Sequence, residues 1–199
     1  LFALSLFAEV LANDVPLLIG RGGRLYLPLF KEYSEVEFGG EFEMAADYRD
    51  PYVIELIEEG GWMLWPPIRF SYDTINYDLP TPAPSPPSRT NLLGTDDRGR
   101  DVLARVIYGF RISVLFGLTL TILSSIVGVI AGALQGYYGG AVDLLGQRFL
   151  EIWSSVPMLF LLIILASVVQ PDFWWLLGIM LLFGWMSLVG LVRAEFLRG

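Results

Sequence analysis

No cysteine and no histidine occur among the 199 residues. Without cysteine there is no disulfide, no thiolate nucleophile and no sulfur ligand for a metal. Without histidine the side chain that titrates nearest neutral pH is missing, and with it the commonest general base and zinc ligand. The absence of cysteine accords with an oxidising compartment but does not require one. No Gly-Lys-Ser/Thr follows Gly94 and Gly99, so a nucleotide P-loop is not expected. No nucleic-acid motif is present, and the acidic balance argues against such a partner. The long apolar runs hold no paired ionisable groups, which sets aside an intramembrane enzyme. No cofactor and no metal site are expected. The chain has no initiator methionine, opens within the apolar stretch Leu1–Ala8 and closes on Arg198-Gly199, so both ends read as cut.

What is present falls into two populations. The chain is 54% hydrophobic with a mean hydropathy of +0.56, high for a soluble domain and low for a pure membrane bundle. The net charge of −8 belongs entirely to residues 13–88, which carry 13 acidic and 5 basic side chains. From Ile112 to Val142 there are 31 residues without a charge. A bilayer core of about 30 Å needs roughly 20 apolar residues as helix, so this run is long enough to cross. Three spans are expected, at about 112–135, 152–169 and 173–192. Residues 1–12 read as the outer end of a truncated first transmembrane helix, with a signal-peptide core as the alternative.

Residues 13–88 predict a small ordered lobe, because disordered segments are poor in aromatics. One helix is clearly signalled there. Asp50 caps it, Pro51 suits its first turn, Val53, Ile54, Leu56 and Ile57 give an apolar face, and Gly60-Gly61 end it. The rest of the lobe reads as irregular. Five prolines in residues 80–87 predict a stiff polyproline spacer of roughly 25 Å. Glu32, Glu35, Glu37, Glu41 and Glu43 form an acidic cluster suited to steering a partner.

Residues 89–111 combine a polar motif with an amphipathic stretch. Asp96, Asp97 and Asp101 lack the order of a calcium loop. Their expected roles are local, with Thr95 or Asp96 as a helix cap and Arg98 or Arg100 as ion-pair partners. From Asp101 onward Val102, Leu103, Val106, Ile107 and Phe110 form an apolar face, with Asp101, Ala104, Arg105 and Tyr108 opposite, as in a helix lying in the interface. Small and polar residues recur along the first full span, including Ser113, Gly117, Thr121, Ser124, Gly128 and Gln135. Gly128, Gly132 and Gly136 form two successive G-x-x-x-G units, a helix-packing face. Part of the stripe, namely Ser113, Thr121, Ser124 and Gln135, is the candidate lining of a substrate path. Residues 143–151 read as a short polar bridge, Pro157 as a kink supported by Ser154 and Ser155, and Gln170–Asp172 as a tight turn. Arginines flank the first full span at both ends, so charge leaves the orientation open.

Leu93–Arg105, Tyr108–Ser113 and Gly136–Asp143, followed by Pro157 and Val192–Glu195, resemble in order the inner-membrane permease subunits of peptide-importing ABC transporters of the dipeptide, oligopeptide and nickel type. Ala12–Leu18, Asp47–Pro51, Trp62–Phe70 and Ser85–Arg89 are further similar to the permeases of microcin C/oligopeptide importers. The resemblance implies an all-α membrane protein, a fragment of the MetI-like ABC importer transmembrane bundle. It places a small lobe between the first and second helices. It implies a periplasmic side for residues 13–111 and the approach to the ATPase-coupling EAA loop at Arg193, Ala194 and Glu195. The implied partners are a homologous second permease, ABC ATPase subunits, a periplasmic peptide-binding protein, the lipid bilayer and a peptide substrate. A membrane-anchored binding module for cationic peptides is the alternative.

Overall fold

The computed structural model describes residues 2–170 and 172–198. Pro171, at the centre of the expected turn Gln170–Asp172, lies outside the described residues, as do Leu1 and Gly199. The chain divides into two compact units, Leu1–Ile112 and Ser113–Gly199.

In the first unit, two short helices, α1 (Phe2–Ser5) and α2 (Ala8–Leu11), stand where one helix end was expected. The break follows Ser5, whose hydroxyl bonds back to the Phe2 carbonyl at 2.8 Å, a contact that bends helices. A three-stranded antiparallel sheet comes next, which the irregular reading of the lobe did not anticipate. Its strands β1 (Leu18–Arg21), β2 (Arg24–Tyr26) and β3 (Gly61–Leu64) are ordered β2-β1-β3, with Ile19 opposite both Tyr26 and Met63. Gly22 and Gly23 join β1 to β2 with φ of 56° and 74°, the pair of left-handed residues that a tight hairpin turn requires. Helix α3 (Pro51–Glu58) starts as its sequence signals. The Asp50 carboxylate accepts from Tyr52 N–H at 2.8 Å, and Pro51 fills the first turn. Its Val53 and Ile57 close a core with Ile19, Phe38 and Tyr48. Glu35 of the acidic cluster is buried in the 3-10 turn Glu35–Phe38, so that cluster is not wholly a surface charge.

Helix α4 (Val102–Tyr138) is continuous through 37 residues, roughly 55 Å at 1.5 Å per residue. Its first turns correct the amphipathic reading. Ala104 and Tyr108, placed on the polar side, are the buried ones and pack on Ala8, Ala12 and Phe70, whereas Val106 and Phe110 are exposed. The small Ala104 permits close approach, and the Tyr108 hydroxyl donates to Ala12 O at 2.8 Å, satisfying its polar tip where its ring is buried.

In the second unit the expected polar bridge at 143–151 is helical, within α5 (Gly140–Ser154). The second span is accordingly not a single helix over 152–169. α5 is followed by α6 (Met158–Val168), bent by 61° at a break that contains Pro157. Proline carries no N–H and disfavours helix at the residue before it, so the ladder stops there. Ser154 and Ser155 donate to the carbonyls of Glu151 and Ile152 at 3.1 and 2.6 Å. Helices α7 (Phe173–Gly184) and α8 (Met186–Arg198) complete the unit and run on through Trp185 as one span-length segment. Among the described residues two helices are long and apolar enough to cross a membrane, or three if the bent pair is one span.

The neighbours of α4 decide how often the chain crosses. Phe116 meets Phe173 edge-on at 5.4 Å, Ser124 abuts Gly184, Gly132 faces Val189 and Val192, and Gly136 faces Phe196. Both segments therefore advance in the same direction, and the chain between them must return. Two further contacts have the opposite sense, Asp143 with Arg193 and Trp153 with Leu182, so α5 runs antiparallel to α7–α8. The bent α5–α6 pair is the segment that makes this return.

Candidate functional site

The motif before α4 is an interlocked loop. Asp101 is the helix cap, a role expected of Thr95 or Asp96. Its Oδ1 accepts from Ala104 N–H at 2.7 Å, and its Oδ2 accepts from Asn91 Nδ2 at 2.8 Å. Asn91 Oδ1 in turn accepts from Asn76 Nδ2 at 3.0 Å, and all three side chains are buried. Such a satisfied polar chain specifies one arrangement of the backbone, because each buried group would be costly unpaired.

Asp96 organises the arginines instead. It accepts from the backbone N–H of Arg98 and Arg100 at 2.9 Å, from Arg100 Nε at 2.8 Å, and pairs with Arg105. Partial desolvation alone would raise its carboxyl. The Arg100 backbone and side-chain donors and the Arg98 N–H outweigh that and hold it well below the usual carboxylate range.

The Pro80–Pro87 stretch is tied to this loop rather than standing free as a spacer. Thr95 N–H donates to Ser85 O at 3.0 Å, and Ser85 N–H donates to Thr95 Oγ1 at 2.9 Å. Gly94 permits the approach: its φ is +75°, and a Cβ there would lie 2.5 Å from Ser85 O.

In the second unit Gly128, Gly132 and Gly136 line the face of α4 turned to α7–α8. A Cβ at these positions would lie 2.7 Å from Trp185 O, 2.7 Å from Val189 O and 2.5 Å from Phe196 Cβ respectively. Of the four path residues the structure brings two together. Thr121 and Ser124 share an open groove of about 280 Å³ with Gly184 and Ser187. Thr121 donates to its own helix at Gly117 O, 2.7 Å away, whereas the buried Ser124 hydroxyl has no partner among the described residues. Ser113 is exposed away from that groove. Gln135 is buried with its Oε1 unpaired among the described residues, packed where a Cβ on Gly146 would come within 2.6 Å of its amide carbon.

Arg193, Ala194 and Glu195 lie on α8. Arg193 makes a two-pronged pair with Asp143, with Nη2 to Oδ2 at 2.6 Å and Nε to Oδ1, and Gln147 adds a third donor at 3.2 Å. Glu195 faces outward with Arg198. Asp143 was missed from the sequence. Its signal was the single acid in the first turn of α5, with Arg193 following the apolar run Leu188–Val192 inside α8.

Residues 124–199 match the family described as the binding-protein-dependent transport system inner membrane component. That match and the helices give the fold class plainly, a MetI-like membrane domain. All of the chain aligns, at 64% identity over 198 residues, with the inner membrane ABC transporter permease protein YejE of Escherichia coli, covering 58% of that protein. It is 51% identical over 222 aligned positions to the peptidoglycan transport system permease protein YejE of Agrobacterium fabrum, again covering all of this chain and 58% of that one. The oligopeptide transport system permease protein OppC of Haemophilus influenzae is 35% identical over 144 residues, 72% of this chain and 45% of that protein. The chain thus spans 58% of the length of its two YejE relatives.

Proposed function

We propose that this chain is a permease subunit of an ATP-driven peptide importer in a bacterial inner membrane. The observation that carries the reading is the 64% identity, along the whole chain, to an inner membrane ABC transporter permease. In this role it forms half of the translocation path beside a homologous second permease. ABC ATPase subunits supply the energy, and a periplasmic peptide-binding protein delivers the cargo. The sequence supports an external energy source, because it has no nucleotide-binding loop. ATP binding at a partner then has to bias two arrangements of the helices.

Residues 13–111 are periplasmic in this reading, and Arg193, Ala194 and Glu195 begin the region that couples to the ATPase. The Asp143–Arg193 pair ties that end of α8 to the start of α5, so a push at the coupling end would reach the broken span. Thr121 and Ser124 are the path residues that the groove favours, with Ser113 before them and Gln135 after them on the same helix. The relatives are named for peptidoglycan and oligopeptide transport. Peptidoglycan fragments carry short peptides, so the shared cargo is an oligopeptide or a peptide-like compound such as microcin C.

The test is reconstitution of the chain with its cognate permease, ATPases and binding protein in proteoliposomes. Labelled oligopeptide should accumulate only with ATP and with every component present. Accumulation without the ATPases, or none in a fully assembled complex that hydrolyses ATP, would sink the reading.

A further inference from the structure

Within the acid-rich first unit one pocket is built from cations and rings. Arg49 and Arg69, two of the five basic residues of segment 13–88, meet Arg89 around a pocket of about 380 Å³, and no carboxylate lines it. The Arg49 guanidinium lies 4.7 Å from the centre of the Phe70 ring, and that of Arg69 lies 5.4 Å from the Trp65 ring. Stacking holds a guanidinium flat and leaves its N–H edges for a planar acceptor. None of the three arginines makes an ion pair among the described residues. The nearest acids in sequence accept backbone N–H groups, Asp47 from Arg49 at 2.9 Å and Asp50 from Tyr52 at 2.8 Å, and neither pairs with a guanidinium of the pocket.

Two donors at this pocket are buried and unsatisfied. Among the described residues Arg49 Nη1 has no partner, and neither has the hydroxyl of Tyr48, a residue only 5% exposed. Burial raises the Tyr48 phenol, so it stays protonated and available to donate. Buried polar groups are nearly always paired, so these two donors at the pocket wall call for an acceptor that the described residues do not supply.

We propose that this pocket binds the C-terminal residue of a peptide. The forks of Arg49 and Arg69, with the Tyr48 hydroxyl, take the free α-carboxylate, and Trp65, Ile54 and Pro67 face its apolar side chain. Ligand sites occupy about 300–1,000 Å³, and this pocket, at the lower end, suits one residue rather than a long segment. Apolar walls beside the forks favour an anion that carries an apolar group. The surrounding negative field penalises a doubly charged phosphate more than a single carboxylate. The inference goes beyond the transport reading and does not need it, since it concerns a binding equilibrium that requires neither ATP nor partners.

Isothermal titration of the purified chain in detergent tests it. The probes are N-acetyl-Leu-Phe with a free carboxylate, the same dipeptide as its C-terminal amide, and sodium phosphate. The free acid should bind saturably, and the amide should bind roughly tenfold more weakly or worse, as expected for losing hydrogen bonds to a charged group. Arg49→Gln and Arg69→Gln should each weaken the acid by a similar factor. Tyr48→Phe should weaken it severalfold without lowering the thermal midpoint, because it removes a hydroxyl that is unpaired in the free protein. Should Arg49→Gln fail to fold, Arg69→Gln and Tyr48→Phe decide the matter. No saturable heat, equal affinity for acid and amide, phosphate as tight as the acid, or unchanged affinity in Arg69→Gln and Tyr48→Phe would overturn the proposal.

Discussion

A single methyl group on α4 separates close packing from mere helix. At Gly132 a Cβ would sit 2.7 Å from Val189 O and 2.8 Å from Val192 Cβ. Ordinary contact begins near 3.4 Å, so α8 would have to recede by roughly 0.7 Å. The obstacle at Val189 is backbone, which no rotamer change can remove. At Gly117, on the same helix and in the same unit, a Cβ would meet nothing within 4 Å among the described residues. Gly132→Ala and Gly117→Ala therefore share one gain in helix propensity, about 0.5–1 kcal/mol. They differ only in the packing cost, about 1–3 kcal/mol for overpacking a close contact. Gly117→Ala should be neutral or stabilising, and Gly132→Ala should be less stable than it by that packing difference. The assay is reversible unfolding of the purified chain in mixed micelles at rising SDS fraction, followed by helicity. Equal unfolding free energies for the two variants would refute close contact between α4 and α8 at this glycine.

Asp101→Ala removes a helix cap and strands Asn91 Nδ2, so the first unit should lose about 2–4 kcal/mol. Hydrogen exchange should show the amides of Val102–Arg105 opening first. Because the Asp96 carboxyl is held below its ordinary value of 3.8, its ion pairs contribute stability above that pH and lose it as pH falls further. The unfolding midpoint should be insensitive to this group between pH 7 and 5 and should drop below about pH 4, with a shallower drop in Asp96→Asn. In this cysteine-free chain, Tyr77→Cys, at a site 85% exposed, should react with an impermeant maleimide added outside spheroplasts. Arg198→Cys should react only after the membrane is opened, and the reverse pattern would overturn the proposed orientation.

The membrane class and the places of the apolar runs were legible in the sequence, because a bilayer demands composition and length that single residues report. So were helix α3, whose cap and proline act locally, and the break at Pro157, which follows from covalent geometry. The Gly22-Gly23 hairpin carried a local signal as well, two glycines between short apolar runs, although the lobe reads as irregular without it. Other features exist only in three dimensions. Asp101 outcompetes Thr95 and Asp96 for the cap because Asn91, ten residues earlier, holds its second oxygen. Ala104 and Tyr108 face inward because Ala8, Ala12 and Phe70 stand opposite them. The parallel course of α4 and α7–α8, and hence the return through a broken helix, rests on contacts between residues more than fifty positions apart. Periodicity identifies a face of a helix, but only packing decides which neighbour that face meets.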